Sequence, residues 1–257
     1  MDRRNYRRKV IIMDPRIEII QHRIKDIHQI IALSGGKGGI GKSSVASVLS
    51  LILQKQGYKI GLLDLDFSGP SDHTILGIKN LYPEEDKGII PPEFMGLQFM
   101  SITYYIGDEP APLRGEDITN AIIELLAITR WGKLDFLIID MPPGIGDTTL
   151  DTIRLLKNHN FLLLTTPSKL SIGTMRKTLI LLQNLEVPIL GIIENMASDL
   201  NGNSKKIEYS SVPFLGSIPF DKQFEWALGN PETILQTTFC QKLKEIAEKI
   251  IPNKASP

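Results

Sequence analysis

The sequence predicts a single-domain α/β protein built on a mostly parallel sheet that is flanked by helices. Short apolar runs rich in β-branched residues alternate with longer segments of helical period, which is typical of βαβ units. Several runs are continuous, as in DFLIID (residues 135–140), and such runs suit strands that are buried on both faces of a sheet. A glycine-rich turn separates the first run from the first long helical segment. The 257 residues, 42% of them hydrophobic, are enough for one large domain.

The predicted elements follow directly from these patterns. Strands are predicted at residues 30–33, 59–64, 99–102, 135–140, 161–165, 189–194 and 214–218, with the weakest pattern at 99–102. Helices with an apolar face are predicted at residues 43–56, 117–130, 171–185 and 233–251. Residues 82–112, rich in proline, glycine and acidic residues, are predicted to form a long irregular insertion. We expect the domain to span residues 28–251, with a partly disordered N-terminal extension (1–27) and a short tail (252–257).

Charge and cysteine content narrow the function classes. Lys+Arg and Asp+Glu both total 29, so the net charge is zero and a broad basic face for nucleic acid is not indicated. The single cysteine, Cys240, cannot form an internal disulfide, which favours a reducing compartment such as the cytoplasm. No run of 18 apolar residues and no secretory signal pattern occur, so we expect no membrane association. The basic segment at residues 3–9 is typical of a solvated arm, and Met13 is an alternative start.

The glycine-rich turn matches the phosphate-binding pattern G-x-x-x-x-G-K-[ST] within SGGKGGIGKSS (residues 34–44). It follows a predicted strand and opens a predicted helix, which is the context that the pattern requires. Glycines let backbone N–H groups turn toward phosphates, and the helix N-terminus adds positive potential. We expect Lys42 to reach the β- and γ-phosphates and the Ser43 hydroxyl to ligate Mg²⁺. The predicted nucleotide-binding residues of the loop are Gly36, Lys37, Gly38, Gly39, Ile40, Gly41, Lys42, Ser43 and Ser44.

Two more predicted strands end in carboxylates that belong at the same sheet edge as this loop. KIGLLD ends at Asp64 and Asp66 follows two residues later; a carboxylate there can orient an attacking water or a magnesium-bound water, although ordinary turn aspartates have the same pattern. DFLIID ends at Asp140, which we expect to bind Mg²⁺ through water. In the following MPPGIGD, Gly144 is expected to offer its N–H to the γ-phosphate. Asp147 is expected to cap the next helix rather than to act in catalysis.

An additional lysine in the loop gives the pattern K-G-G-x-G-K-[ST], which resembles the deviant Walker A motif of the nitrogenase iron protein, MinD, ParA and ArsA group. This resemblance implies ATP as the nucleotide and a homodimer in which Lys37 reaches the phosphates of the partner subunit. It implies catalytic roles for Lys37, Lys42 and Asp66, with Asp66 holding the attacking water. It also places Asp64 in the metal shell, beside Ser43. A surface lysine that only raises the local potential is the alternative for Lys37.

Longer motifs narrow the resemblance to the Mrp/ApbC branch of this group. They are LLDLDFSGPS, WGKLDFLIIDMPPGIGD, IIENM and FLGSIPFD, and the similarity covers roughly residues 28–230. Members of this branch are cytosolic ATPases implicated in carrying iron–sulfur clusters. In the wider group, the residues that match Asn195, Pro219 and Asp221 touch the adenine, which implies the same contacts here. A turn at a strand end is the alternative for Asn195.

The chain departs from this branch in its cysteines. Branch members usually have C-x-x-C soon after the segment that matches IIENM, and two such pairs from two subunits would hold one cluster through thiolates. Here that region reads MASDLNGNSKKIEYSSVPF and contains neither cysteine nor histidine. Cys240 lies on the apolar face of the predicted C-terminal helix, where a buried small hydrophobe is expected. We therefore expect a changed or lost iron–sulfur site.

Three functions fit the sequence. The first is a dimeric ATPase switch in iron–sulfur cluster assembly, whose unknown client could be the apo-form of a metalloprotein. The second is a MinD/ParA-like regulatory or positioning ATPase, which the core-facing stripe of the predicted C-terminal helix disfavours. The third is a nucleotide-gated subunit that binds a partner protein, for which Tyr104 and Tyr105 are candidate contacts. In all three, hydrolysis relaxes the segments near Asp66 and Gly144.

Overall fold

The computed structural model describes residues 14–106, 116–144, 146–198 and 212–251, which form ten strands and ten helices. The strands are β1 (Ile27–Gly35), β2 (Ile60–Asp64), β3 (Glu84–Glu85), β4 (Ile89–Ile90), β5 (Glu93–Phe94), β6 (Leu97–Ser101), β7 (Leu134–Asp140), β8 (His159–Thr165), β9 (Ile189–Ala197) and β10 (Phe214–Pro219). The helices are α1 (Arg16–Ile24), α2 (Lys42–Lys55), α3 (Asp72–Leu76), α4 (Thr103–Ile106), α5 (Glu116–Ile128), α6 (Asp147–Leu155), α7 (Lys169–Asn184), α8 (Lys222–Ala227), α9 (Pro231–Ile234) and α10 (Thr238–Ala247).

Eight of these strands form one sheet in the order β10-β9-β8-β1-β7-β2-β6-β5. Neighbours in this sheet pair in parallel, except that the edge strand β5 is antiparallel to β6. The short strands β3 and β4 form a separate antiparallel ribbon. Parallel neighbours need crossover connections, and the intervening helices provide them. The predicted mostly parallel sheet with flanking helices is confirmed.

The alternation of side chains along β1 shows why the sheet carries helices on both faces. Ile31 and Leu33 belong to a core formed with α2, α3, α8, α9 and α10, whereas Ile30 and Ala32 belong to a second core formed with α1, α5, α6 and α7. Successive residues of a strand point to opposite faces of the sheet. A strand covered on both sides must therefore be apolar throughout, as the predicted continuous runs require.

The functional edge of the sheet lies where its strand order changes direction. From β1 the chain crosses to β2 on one side of the sheet and later continues through β8, β9 and β10 on the other. Leu33 of β1 lies in register with Asp140 of β7, and Asp140 lies in register with Asp64 of β2. The carboxyl ends of these parallel strands therefore meet at one edge. Open α/β sheets bind their ligands in this position.

Helix α1 lies inside the range predicted as an N-terminal extension. It packs along α5, Ile20 is fully buried, and the Gln21 side-chain amide donates to the Leu155 carbonyl at 2.6 Å. The folded part of the chain thus includes residues before 28, and the predicted boundary there is too late. Residues 1–13 and 252–257 lie outside the described residues, so the predicted disorder and tail stay predictions.

The predicted C-terminal helix at residues 233–251 is interrupted. Its range contains the end of α9 and all of α10, with Thr237 as the N-cap of α10. The Thr237 hydroxyl accepts from the Cys240 N–H at 3.2 Å and donates to the Ile234 carbonyl at 2.6 Å. The predicted apolar face of this segment packs into the core, and Cys240 is buried there with Phe239.

The segment at residues 82–112 is less irregular than predicted. It contains β6, which pairs with β2 and buries Phe99 completely. Tyr104 packs edge-on against Phe99 with ring centroids 5.9 Å apart, so it is not the exposed contact that the sequence suggested. Tyr105 keeps 48% of its surface exposed. Residues 107–115, at the end of this segment, lie outside the described residues.

The other predicted elements begin and end within three residues of the observed ones. No prediction covers α3, α4 or α8, which are six residues or shorter and too brief to show a helical period. None of the described helices is long and apolar enough to cross a lipid bilayer.

Candidate nucleotide-binding site

The phosphate-binding loop connects β1 to α2, and its glycines are required by its geometry. Gly39 and Gly41 have φ of 71° and 83°, in the left-handed region that glycine adopts without a Cβ penalty. A Cβ on Gly41 would also overlap the side-chain amide of Asn195, and one on Gly36 would overlap the backbone of Thr174 in α7. The loop is therefore held closely between β9 and α7, with its backbone shaped as a phosphate cradle.

The two lysines of the loop lie in different environments. Lys42, the first residue of α2, is only 6% exposed. Lys37 is exposed and lines a depression of about 360 Å³ together with Thr166 and Ser168 of the β8–α7 loop. The positive charge of Lys42 opposes the rise in the pKa of Asp140. Lys42 thus belongs to the interior of the site, whereas Lys37 is accessible from outside the chain.

A short hydrogen bond joins the loop to the end of β7. The Ser43 hydroxyl donates to Oδ2 of Asp140 at 2.6 Å. These two residues are 97 positions apart in the sequence, and the β1–β7 pairing brings them together. Ser43 and Asp140 were predicted as partners of the same Mg²⁺, and the structure places them in contact.

Asp64 and Asp72 extend this pair into a cluster of carboxylates. One carboxylate oxygen of Asp64 accepts from the backbone N–H of Asp66 at 3.0 Å. The other oxygen accepts from the backbone N–H groups of Ser71 at 3.1 Å and Asp72 at 3.4 Å. Asp72 accepts from the Ser47 hydroxyl at 2.5 Å. One carboxylate oxygen from each of Asp64, Asp72 and Asp140 lies within 4.8 Å of the others.

The donor set of this cluster fits a hard divalent cation. Oδ1 of Asp140 and Oδ2 of Asp72 are buried and have no hydrogen-bond partner among the residues that the structure describes. Buried polar atoms without partners are costly, and Mg²⁺ prefers carboxylate and hydroxyl oxygens. Ser43, Asp64, Asp72 and Asp140 are therefore the residues that would hold Mg²⁺, either directly or through water.

Burial is the main cause of the raised pKa values of the three carboxyl groups. It raises the pKa of Asp64 to about 8, with the negative charge of Asp140 as the second cause. It raises the pKa of Asp140 to about 6, against the opposing effects of the Ser43 hydrogen bond and Lys42. The pKa of Asp72 is also raised, by burial first and by the charges of Asp140 and Asp64 second. Without a cation, the cluster therefore resists ionisation.

Asp72 is the member of this cluster that the sequence interpretation missed. It directly follows the LLDLDFSGPS motif and begins α3. The sequence of α2 could have indicated this residue, because Ser47 lies four positions after Ser43 and hence on the same helix face. A second hydroxyl on that face indicates a second acceptor close to Asp140.

Asp66 is not one of the three clustered carboxylates, but it lies close enough for its charge to add to the rise in their pKa values. Its side chain is partly exposed, and Oδ1 accepts from the N–H groups of Ser68 and Gly69 at 3.2 Å each. It therefore caps the turn after β2, which matches the alternative considered for this position. The same placement leaves the carboxylate accessible to a water molecule.

Gly144 lies beside the end of β1, and Asp147 lies at the start of α6. The Gly144 N–H donates to the Gly35 carbonyl at 3.1 Å, and its contact with the γ-phosphate stays a prediction. Gly146 is the N-cap of α6, and Asp147 is the first helical residue. Asp147 thus begins the helix instead of capping it.

The residues predicted to touch adenine do come together, in a narrow cleft. Asn195, Pro219 and Asp221 line it together with Gly41 and Ser44 of the loop. Apolar side chains that were not predicted as contacts complete the cleft: Met196, Phe220, Phe224 and Phe239.

Two of these predicted adenine contacts are already engaged within the protein. The Asn195 amide donates to the Ile40 carbonyl at 2.9 Å, and the residue is 3% exposed. The carboxylate of Asp221 accepts from the Gln223 N–H at 2.8 Å and from the Phe239 N–H at 2.9 Å. Asn195 thus supports the phosphate loop, and Asp221 ties α8 to α10.

Two relatives show what the chain is similar to in sequence. It is 36% identical to the "Iron-sulfur cluster carrier protein" of Aquifex aeolicus, over 78% of this chain and 60% of that protein. It is 33% identical to the "Cytosolic Fe-S cluster assembly factor Nubp2 homolog 2" of Drosophila yakuba, over 88% of this chain and 97% of that protein. The chain thus spans 60% of the Aquifex relative, which is less than two thirds, but nearly the full length of the Drosophila one.

Two solved structures share the fold. A nucleotide-binding protein from Archaeoglobus fulgidus in complex with ADP superposes with a TM-score of 0.71 at 30% identity, covering 85% of this chain and 92% of that one. The septum site-determining protein MinD of Pyrococcus horikoshii, complexed with Mg-ADP, superposes with a TM-score of 0.63 at 23% identity, covering 87% and 96%. The second likeness concerns the fold alone.

The family assignment covers almost the whole chain. The model of the ParA family, described as NUBPL iron-transfer P-loop NTPase, matches residues 26–253. This range includes the phosphate loop, the carboxylate cluster and the cleft, and it confirms the resemblance inferred from the motifs. The chain belongs to the ParA family of NUBPL-type iron-transfer P-loop NTPases.

Proposed function

We propose that this chain is a cytoplasmic, Mg²⁺-dependent ATPase that works as a homodimeric switch in iron–sulfur cluster assembly. The observation that carries the proposal is the 2.6 Å hydrogen bond between Ser43 and Asp140, which joins a complete phosphate loop to a buried carboxylate at the switch point of the sheet. ADP in the Archaeoglobus protein, which is 30% identical to this chain, supports this ligand class. The names of the Aquifex and Drosophila relatives support the cellular role, and the latter name supports the compartment.

In the proposed mechanism, the loop and α2 hold the triphosphate. The backbone N–H groups between Gly36 and Gly41 and the N-terminus of α2 face the phosphates, while buried Lys42 balances the charge of the β- and γ-phosphates. Bound Mg²⁺ would neutralise developing charge on the phosphate oxygens, with Ser43 and Asp140 among its holders. The accessible carboxylate of Asp66 orients the attacking water. Asn195, Pro219 and Asp221 shape the adenine cleft.

The exposed Lys37 is proposed to complete the active site of a second subunit. Lys42 already supplies a buried cation within the chain, whereas Lys37 lies at the open side of the loop. A cation delivered by a partner can stabilise the charge of the transition state only when two subunits have closed. Hydrolysis would thereby be coupled to dimerisation.

The first test measures phosphate release from Mg-ATP by a Lys37→Ala variant. We expect turnover to fall by about 10³-fold or more, as for the loss of a charged finger, while ATP affinity changes by less than about tenfold. Lys133→Ala removes another exposed lysine, remote from the loop, and should leave both values unchanged. Hydrolysis at the wild-type rate by Lys37→Ala would refute the role of this lysine.

The cargo proposal needs a separate argument, because the chain lacks the C-x-x-C pair. Its single thiol, Cys240, is buried, and burial raises the pKa of this thiol to about 11, so it is a poor source of thiolate. We therefore propose that the protein promotes cluster transfer between a donor and a client rather than storing a cluster on paired cysteines.

The second test follows transfer of an iron–sulfur cluster from a loaded donor to an apo-acceptor under anaerobic conditions. We expect the protein with Mg-ATP to accelerate the appearance of the acceptor's visible absorption. Cys240→Ala should accelerate it equally, because the buried thiol is not used. A protein that stays colourless after reconstitution with iron and sulfide, and that also leaves the transfer rate unchanged, is not a cluster-assembly factor.

A further inference from the structure

We infer that Asp72 turns the carboxylate cluster into a divalent-cation site that fills before any nucleotide is bound. The inference rests on the proposed function in placing Mg²⁺ beside the phosphate loop. It goes further in making cation binding independent of ATP and in attributing that independence to the third carboxylate, Asp72.

The first observation is an excess of buried carboxyl groups over buried cations. Asp64, Asp72 and Asp140 each have 0% exposure, and one oxygen from each lies within 4.8 Å of the others. Within residues 14–106, 116–144, 146–198 and 212–251, none of the three forms an ion pair with a lysine or arginine. Lys42 is the buried cation of the adjacent loop and can balance one charge at most. Buried carboxylates of this kind are paired with cations or coordinate metals.

The second observation is that two oxygens of the cluster are left without partners. Both oxygens of Asp64 accept backbone N–H groups, and one oxygen each of Asp72 and Asp140 accepts a serine hydroxyl. The remaining oxygens, Oδ2 of Asp72 and Oδ1 of Asp140, are buried and have no hydrogen-bond partner within the described part of the chain. They come from two separate elements, α3 and β7. Hard oxygen ligands from separate elements are what Mg²⁺ or Mn²⁺ uses.

The third observation is the way α2 anchors the cluster. Ser43 donates to Asp140 at 2.6 Å, and Ser47, one turn further along α2, donates to Asp72 at 2.5 Å. The two carboxylates are thus oriented by the same helix face, and each keeps its other oxygen available. Oriented ligands with fixed outer partners are the feature of a built metal site.

The third carboxylate has a functional consequence. In a site with fewer carboxylates, phosphate oxygens must supply much of the charge that retains Mg²⁺. Here Asp72 supplies a negative charge from the protein itself. The cation is then held in the nucleotide-free protein, and ATP arrives at a site whose carboxylates are already neutralised.

The test is a titration of Mn²⁺ into the full chain after removal of metal and nucleotide, followed by electron paramagnetic resonance near neutral pH. We expect one bound ion per chain. Asp72→Asn keeps the acceptor for Ser47 but removes the charge, and it should weaken Mn²⁺ binding by about 10- to 100-fold. Asp135→Asn, at the opposite end of β7, retains an acceptor for the Lys59 N–H and should bind Mn²⁺ like the wild type.

The outcomes separate this inference from the proposed function. If the wild type binds Mn²⁺ only after ATP is added, or if Asp72→Asn and Asp135→Asn bind equally well, the inference is wrong, even when ATP is hydrolysed normally. Binding without nucleotide in a protein that never hydrolyses ATP would support the inference and refute the proposed function. If Asp72→Asn does not fold, the wild-type titration still decides whether nucleotide is needed, and Ser47→Ala tests the role of Asp72, with a smaller loss expected.

Discussion

Asp64 and Asp140 carry a large electrostatic cost because both carboxyl groups are buried. Burial raises the pKa of Asp64 to about 8 and that of Asp140 to about 6, from a usual value of 3.8. A carboxyl group whose pKa is higher in the folded state stabilises the fold fully below its unfolded pKa. That stability is lost as the pH rises through the folded pKa. The metal-free protein should therefore lose stability between about pH 4 and pH 8.

This argument predicts that removing a proposed metal-binding residue stabilises the metal-free protein. In EDTA and without nucleotide, Asp140→Asn should increase the free energy of unfolding at pH 8 by about 1–3 kcal/mol, with little gain below about pH 5. The amide still accepts from Ser43 and removes one charge from beside Asp64. Denaturant unfolding followed by circular dichroism measures the effect, and Asp135→Asn serves as the control. Equal or lower stability of Asp140→Asn at pH 8 contradicts the account.

Sequence motifs could identify some residues of the site but not their partners. Ser43, Asp64 and Asp140 were predictable because each follows a strand or loop pattern with a fixed place at the sheet edge. Asp72 was not, because its position depends on a contact with Ser47, on another helix. The hydrogen bond of Asn195 to the loop likewise depends on how β9 packs against it, which no local pattern shows.

At the scale of elements, α2 offers a matched pair of glycines at its two ends. Gly41 precedes the helix with φ 83°, and Gly57 follows it with φ 84°. A Cβ on Gly41 would overlap Asn195, whereas a Cβ on Gly57 meets no atom within 4 Å. The two positions therefore have the same backbone strain but different surroundings.

Substituting alanine for Gly41 and for Gly57 distinguishes the effect of backbone strain on stability from the effect of loop geometry on ATP binding. Gly57→Ala should lower the free energy of unfolding by about 1–2 kcal/mol and leave ATP affinity unchanged. Gly41→Ala should weaken ATP binding by about tenfold or more, because the loop must shift away from Asn195. Fluorescence titration with a labelled nucleotide and thermal unfolding measure both effects. Normal ATP affinity in Gly41→Ala would show that the close approach is not required.

The strands and helices that could be predicted from sequence are the long ones with extensive buried faces. Strands such as β7 have continuous apolar runs, and α2 and α7 have long apolar faces, so their existence follows from pattern alone. The break between α9 and α10 does not, since the apolar spacing continues across it. That break is set by the cap at Thr237 and by Asp221, which accepts from the Phe239 N–H across the chain.

At the scale of the whole molecule, the site is proposed to be complete only in a dimer. One chain provides the phosphate loop, buried Lys42 and the carboxylate cluster, while its exposed Lys37 faces outward. An isologous dimer formed through this face would place each Lys37 at the site of the other subunit. Two variants that are inactive for different reasons should then restore each other when they are mixed.

The most direct test of this account is the ATPase rate of an equal mixture of Lys37→Ala and Asp66→Ala. In a mixed dimer, the Lys37→Ala subunit keeps its own Asp66 and receives Lys37 from the Asp66→Ala subunit, so one of the two sites is complete. Because half of the dimers are mixed, the account predicts a rate of about one quarter of the wild type, although each variant alone is slow. A mixture no faster than the average of the two separate variants would contradict catalysis across the dimer.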